Sequence, residues 1–203
     1  MSFGEIAALT IHDVKNRLAQ LAGKAERRGD TETVRAALAA AETLTQLLTY
    51  YRSESGILKV AIDAHAPEDL IDELVGENGG MGAIAIEKDC RAAPTLAFYD
   101  ETLVRMVLAD AVHNALRHAR SRIVIAAAQC GAHVEFRVHD DGAGYPASVL
   151  ADAGDSATVS REGTGLGLRL ARRIAELHEN DGCRGAIELA NDGGALFVLR
   201  LPR

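Results

Sequence analysis

Tryptophan is absent from this chain of 203 residues, which also has only four each of tyrosine, phenylalanine and proline, and three cysteines. Aromatics at 4% beside abundant alanine argue against an aromatic-rich β-sandwich and for helices packed through small side chains. Cys90, Cys130 and Cys183 are odd in number and form no CxxC pair. Neither a disulfide framework nor a zinc knuckle is indicated, and a reducing cytoplasm is the expected setting. No apolar run approaches the roughly 18 residues of a membrane span. Charges punctuate the opening MSFGEIAALTIHDVKN, so it does not read as a signal peptide. Excess positive charge is missing too: 22 Lys+Arg against 29 Asp+Glu give a formal charge of -7. A broad footprint for nucleic acid or anionic lipid is therefore not expected. What remains, 48% hydrophobic and 25% charged residues, is the composition of an ordered globular protein.

The chain divides by pattern. Residues 5–55 hold no proline, and Ala7, Ile11, Val14, Leu18, Leu21 and Ala25 follow helical spacing. Arg28-Gly29-Asp30 supplies a C-terminal glycine and then a capping aspartate, after which Val34, Leu38, Ala41, Leu44, Leu48 and Tyr51 resume a seam. Two antiparallel helices bury only one side of each seam, so a homodimeric four-helix bundle is expected for residues 1–55. Between Ser53 and Pro67 the period is lost, and a second domain is placed at 56–203. There the pattern predicts a short helix over Pro67–Glu77, a strand over Ala83–Glu87 and a long helix over about Asp100–Ala119. Strands follow at Arg122–Ala128 and His133–Val138, then a helix over about Gly167–Leu177, and strands near Ala186–Leu189 and Ala195–Leu201. Strands in hairpin order beside helices read as an α+β two-layer sandwich.

Three segments of that domain carry chemistry. Steps of four and three along a helix bring Asp110, Asn114, Arg117 and His118 onto one side. The Asn114 amide oxygen is a hard ligand suited to Mg²⁺, and Arg117 suits phosphate; a solvated helix face is the competing reading of the segment alone. Asp140-Asp141-Gly142-Ala143-Gly144 follows a strand, so Asp140 is placed to accept from an exocyclic amine such as that of adenine, the plain alternative being a turn. Gly163-Thr164-Gly165-Leu166-Gly167 opens a helix, where backbone N–H groups and the helix dipole favour phosphate.

In this order and spacing the segments resemble the N, G1 and G2 boxes of the histidine kinase, gyrase, Hsp90 and MutL (GHKL, or Bergerat) ATPase superfamily. The closing Gly193-Gly194-Ala195-Leu196-Phe197 looks like the last strand of sensor kinases. The resemblance covers about residues 57–203. His12-Asp13-Val14-Lys15-Asn16 resembles the H box of histidine kinase dimerisation domains, with His12 beside Ile11 at the edge of the seam and Asn16 one turn on. It implies His12 as phosphoacceptor, with Asp13 orienting the imidazole.

Departures are visible. Arg17 stands where many members carry proline, Ala195 where many carry threonine, and Tyr145–Glu162 forms a short lid without a Phe-rich F box, expected to be a mobile loop. Arg161 is its candidate cation for the γ-phosphate. His113 flanks the N box, while His65, His133, His139 and His178 have surface or packing roles as their default.

The resemblance implies ATP and Mg²⁺ as cofactors, with Asn114 on the metal and Asp110 supporting the metal shell or polarising a nucleophile. It also implies a response regulator receiver domain as phosphoryl acceptor and, with no input module in the sequence, a separate sensor protein. Regulator dephosphorylation with Asn16 orienting water is a secondary expectation. Two other readings compete: a phosphotransfer adaptor with a vestigial ATP fold, and a protein-serine kinase of the anti-sigma type.

Overall fold

The computed structural model describes residues 3–79, 84–151 and 165–203, and the chain separates into two compact units, Met1–Leu58 and Lys59–Arg203. The first is a helical hairpin of α1 (Phe3–Glu26) and α2 (Thr31–Glu54). Its reversal has a local cause. Gly29 adopts the left-handed φ of 69°, and the Asp30 carboxylate then caps α2 by accepting from the Thr33 N–H at 3.0 Å and the Thr33 hydroxyl at 2.6 Å. The apolar residues buried in the hairpin are small, Ala22, Ala25 and Ala37, so the helices approach closely. Large apolar side chains of the same helices stay exposed: Leu9, Val14, Leu21, Leu38 and Leu47. The seams read from the sequence are thus only partly covered within one chain, Val14, Leu21 and Leu38 remaining open.

The second unit runs β1 (Asp63–His65), α3 (Pro67–Asn78), β2 (Ala85–Ala92), β3 (Ala97–Tyr99), α4 (Glu101–His118), β4 (Arg122–Cys130) and β5 (His133–Asp140). It continues with α5 (Ala147–Ala151), α6 (Leu166–Leu177), β6 (Glu179–Asn180), β7 (Cys183–Arg184), β8 (Ala186–Asn191) and β9 (Ala195–Pro202). Five strands form one sheet in the order β2-β4-β5-β9-β8. The expected hairpins β4–β5 and β8–β9 are present, and β5 pairs antiparallel with β9. The β2–β4 pair corrects the reading of strands in hairpin order, because it is parallel. A parallel pair needs a crossover, and the crossover here carries α4 over the sheet.

Alternation along the strands turns Ile123, Ile125, Val134, Phe136, Val138, Phe197, Leu199 and Leu201 into a core shared with Leu70, Ile71 and Leu74 of α3, Leu108 and Val112 of α4, and Leu170 and Ile174 of α6. The α+β two-layer class is as the sequence predicts. Elements absent from the sequence reading are short: the β1–β3 ribbon, the β6–β7 ribbon and α5. No helix among the described residues is long and apolar enough to cross a membrane.

The start of α4 is fixed by Asp100 and His178. Asp100 is a buried N-cap, with Oδ1 accepting from Leu103 N–H at 3.0 Å and Oδ2 from Ala61 N–H at 2.8 Å. His178, at the end of α6 and 2% exposed, lies between the Ile174 carbonyl, 2.8 Å from Nδ1, and the Asp100 N–H, 3.0 Å from Nε2. A carbonyl only accepts and a backbone N–H only donates, so Nδ1 carries the proton and the ring is neutral. Burial holds the His178 pKa below its ordinary value, against the hydrogen bond to Ile174 and the Asp100 charge, which act the other way. Tyr99, fully buried between His65 and Phe136, has a hydroxyl without a hydrogen-bond partner among the described residues.

Two outcomes follow. With its pKa depressed on folding, His178 contributes stability that is complete above about pH 6.5 and is lost as the pH falls toward the folded-state value. Thermal melts between about pH 7 and pH 5 are expected to show a falling Tm whose slope flattens in His178→Gln; identical slopes would count against this. Tyr99→Phe is expected to melt at or above the temperature of the unaltered protein, because it removes an unsatisfied buried hydroxyl whose burial costs about 1–3 kcal/mol.

Candidate nucleotide-binding site

The site is built where β5 ends. Asp140 is 4% exposed, and its Oδ1 accepts from the Gly142 N–H at 2.7 Å and from the Ala195 N–H of β9 at 3.2 Å. A carboxylate accepts at both oxygens, so holding Oδ1 to the backbone orients Oδ2 without consuming it. The surrounding backbone leaves no room for side chains. A Cβ at Gly142 would lie 2.3 Å from the His118 carbonyl oxygen, and one at Gly194 would lie 1.8 Å from the Asp140 carbonyl oxygen. Glycine is required at both positions by close approach within the protein, of residue 142 to His118 and of residue 194 to Asp140.

Asp141 points to a different task, which the sequence reading missed. Its carboxylate accepts from the backbone N–H groups of Arg120 at 2.8 Å, Ser121 at 3.0 Å and Arg122 at 3.2 Å, and from the Ser121 hydroxyl at 2.6 Å. These hydrogen bonds, those of Ser121 foremost, hold its carboxyl far below the usual range. Asp141 thereby ties the loop between α4 and β4 to the turn that carries Asp140. An aspartate before a glycine was the only local signal, and its partners stand some twenty positions upstream.

On α4, Asp110 and Asn114 are half-buried one turn apart, whereas Arg117 and His118 are exposed in the last turn. Asp110 lies against the first turn of α6: a Cβ at Gly167 would fall 2.0 Å from Asp110 Oδ2. Gly165, in the left-handed conformation at φ 64°, precedes Leu166 at the start of that helix. The N box and the described half of the G2 box therefore meet through Asp110 and Gly167, and the N box meets the G1 turn through the His118 carbonyl and Gly142. Burial raises the phenol pKa of Tyr145, and the charges of Asp140 and Asp110 add to the rise.

The turn also leaves through an ordered contact. Gly144 has φ 81°, and the Asn191 side chain bonds both the N–H and the carbonyl of Tyr145, at 2.7 Å and 3.0 Å. Arg161, Gly163 and Thr164 lie outside the described residues, as does the lid from residue 152 onward. The described part of the expected lid loop contains a short helix, α5.

The cradle is a buried, oriented carboxylate beside a tightly packed glycine turn, and such an acceptor suits the amino group of a nucleotide base. No cluster of three or more His, Cys, Asp or Glu side chains able to hold a metal occurs among the described residues. A cation held at Asn114 would therefore complete its shell with phosphate oxygens and water, the usual habit of Mg²⁺.

In the first unit, His12 lies on the exposed side of α1 with its Nδ1 3.3 Å from the Asn16 amide nitrogen and 3.7 Å from Asp13 Oδ1. Both neighbours gather at one ring nitrogen, away from Nε2. Arg17 belongs to the same helix, which continues to Glu26.

The family model described as histidine kinase-, DNA gyrase B-, and HSP90-like ATPase matches residues 99–203. The signal transduction histidine-protein kinase AfsQ2 of Streptomyces coelicolor is 29% identical over 80% of this chain and 30% of its own length. The sensor-type histidine kinase PrrB of Mycobacterium tuberculosis is 31% identical over 69% of this chain and 32% of its own. The chain thus spans about a third of the length of these curated relatives. Among solved structures, full-length ShkA in complex with AMPPNP superposes with a TM-score of 0.75 at 20% identity, covering 99% of this chain and 46% of that one. With more than half of its residues matched by the family model and its fold shared with histidine kinases, the chain belongs to the histidine kinase-, DNA gyrase B- and HSP90-like ATPase family.

Proposed function

We propose that this chain is a homodimeric, cytoplasmic protein-histidine kinase core that phosphorylates His12 from ATP and passes the phosphoryl group to the aspartate of a response regulator receiver domain. The observation that carries this reading is the buried Asp140 carboxylate, fixed by the Gly142 and Ala195 N–H groups beside a glycine-only cradle, in a chain that also presents His12 with Asp13 and Asn16. Asp140 accepts the adenine amino group. Gly142, Gly144, Gly163, Thr164, Gly165, Leu166 and Gly167 shape the cleft and offer backbone N–H groups to the phosphates, and Arg117, His118 and Arg161 supply cationic or hydrogen-bonding side chains. Asn114 would hold Mg²⁺, with Asp110 behind it; the ion would neutralise charge on the transferring phosphoryl group.

His12 attacks through Nε2. The Asn16 amide nitrogen, 3.3 Å from Nδ1, can only donate and so favours the proton on Nε2. Attack therefore requires Asn16 to release Nδ1 and the ring to turn Nδ1–H to Asp13, whose Oδ1 stands 3.7 Å away, which leaves the lone pair for the new P–N bond on Nε2 and stabilises the imidazolium formed. Asn16, one turn away, suits the orientation of water for regulator dephosphorylation, a second activity of the same hairpin. The exposed Leu9, Val14, Leu21, Leu38 and Leu47 favour a second copy as the cover for the bundle. The signal would enter through a separate sensor protein.

Incubation with γ-labelled ATP and Mg²⁺ is expected to give an acid-labile, base-stable label that disappears in His12→Ala and in Asn114→Ala. Label surviving in His12→Ala would turn the assignment to the serine kinase, and none in folded protein to the phosphotransfer adaptor. Asp140→Asn is expected to weaken ATP binding by one to two orders of magnitude, the worth of a charged hydrogen bond of about 1.5–3 kcal/mol, as measured by calorimetry. Asn16→Ala is expected to slow dephosphorylation of a phosphorylated regulator while His12 still becomes labelled; unchanged dephosphorylation would remove the second activity.

A further inference from the structure

The β5–β9 ladder ends at the pair His139 and Leu196, and the β8–β9 ladder ends at Asn191 and Ala195. Asp140 still pairs with Ile123 of β4, but on the β9 side the turn that follows it lies beyond both ladders. Side chains take over. His139 Nε2 donates to the Asp192 carbonyl at 2.7 Å, Ala195 N–H donates to Asp140 Oδ1 at 3.2 Å, and Asn191 closes on Tyr145. The β8–β9 turn is itself fixed by Gly193 at φ 68° and by the Asp192 N–H bonding the Gly194 carbonyl at 3.0 Å.

We propose that Asn191 is a positioning residue of the nucleotide site, a role that rests on the ATP-binding reading above. Its amide does what a neighbouring strand would do. Oδ1 accepts from Tyr145 N–H at 2.7 Å and Nδ2 donates to the Tyr145 carbonyl at 3.0 Å. The amide orientation is set by its partners, since a backbone N–H only donates and a carbonyl only accepts. The fit also depends on Gly144, where a Cβ would stand 2.7 Å from the Asn191 side chain.

One short turn therefore grips the G1 segment at both ends: at its entry through Ala195 on Asp140, and at its exit through Asn191 on Tyr145. The exit matters because Tyr145 follows directly on Gly144, whose backbone, at φ 81°, has no room for a side chain against Asn191. Freed from Asn191, the N–H and carbonyl of Tyr145 lose the partner that fixes the backbone after Gly144. Asparagine is the residue of choice, because its amide alone matches the paired donor and acceptor of a peptide unit.

The experiment uses the full chain and MgADP as probe, with Asn191→Ala, Asn191→Asp and, as a control leaving the backbone contacts of the turn in place, Asp192→Ala. Calorimetry is expected to show Asn191→Ala binding MgADP about tenfold more weakly, with Asn191→Asp between it and the unaltered protein because one carboxylate oxygen still accepts from Tyr145 N–H. Hydrogen exchange without nucleotide is expected to show the Tyr145 amide losing protection in Asn191→Ala alone. In autophosphorylation the variant is expected to raise the KM for ATP and leave the saturated rate within about twofold, which a loss of folding would not do. MgADP affinity within about twofold of the unaltered protein in Asn191→Ala would overturn the proposal, as would Asn191→Asp binding no better than Asn191→Ala. Unaltered protein that binds no MgADP would instead overturn the ATP-binding reading and this role with it.

Discussion

A single buried carboxylate organises the second unit of this protein. Asp140 ends the central strand β5 and is held by two backbone donors, one from its own turn and one from β9. Burying that group is tolerable only because its hydrogen bonds are made. Around it the backbone at residue 142 lies against His118 and that at residue 194 against Asp140, so close that glycine is required at 142 and 194. The conformation of the G1 turn, the position of the β8–β9 turn and the end of α4 are consequences of satisfying one acidic side chain.

The helices are placed by the same economy of polar groups. Asp100 and His178 meet at the start of α4, where an N-cap carboxylate and a neutral imidazole satisfy buried backbone donors and an acceptor. That junction anchors the helix carrying Asp110 and Asn114, and Asp110 in turn lies against Gly167 at the start of α6. Asp141 ties down the loop at the other end of α4. The metal-binding side chain of the proposed mechanism sits on a helix secured at both ends, the rigidity that positioning catalysis needs.

The hairpin follows a different logic. Among its described side chains the buried apolar positions are alanines, and Leu9, Leu21, Leu38 and Leu47 are exposed, so the hairpin leaves apolar surface uncovered within one chain. His12 stands on the exposed side of α1, with Asp13 and Asn16 both at Nδ1, so the surroundings of that ring nitrogen are set by residues within one turn of helix.

What the sequence determined by itself is what depends on neighbours a few positions apart. Helical spacing, the Gly29-Asp30 reversal, alternating strands and the glycines of the G1 and G2 boxes are local signals, and the long elements fall where they predict. The placement of Asp110 and Asn114 one turn apart on a helix, of Asp140 at a strand end and of His12 beside Asn16 was legible for the same reason, since each belongs to a short motif. Tertiary structure alone decided the parallel β2–β4 pair, the clamp of Asp141 on residues 120–122 and the closure of Asn191 on Tyr145. These link positions some twenty to nearly fifty residues apart, and the identity of Asp141 or Asn191 carries no trace of its partner. Local patterns record which conformation a segment prefers; which buried donors and acceptors remain unsatisfied, and what must satisfy them, exists only once the segments have packed.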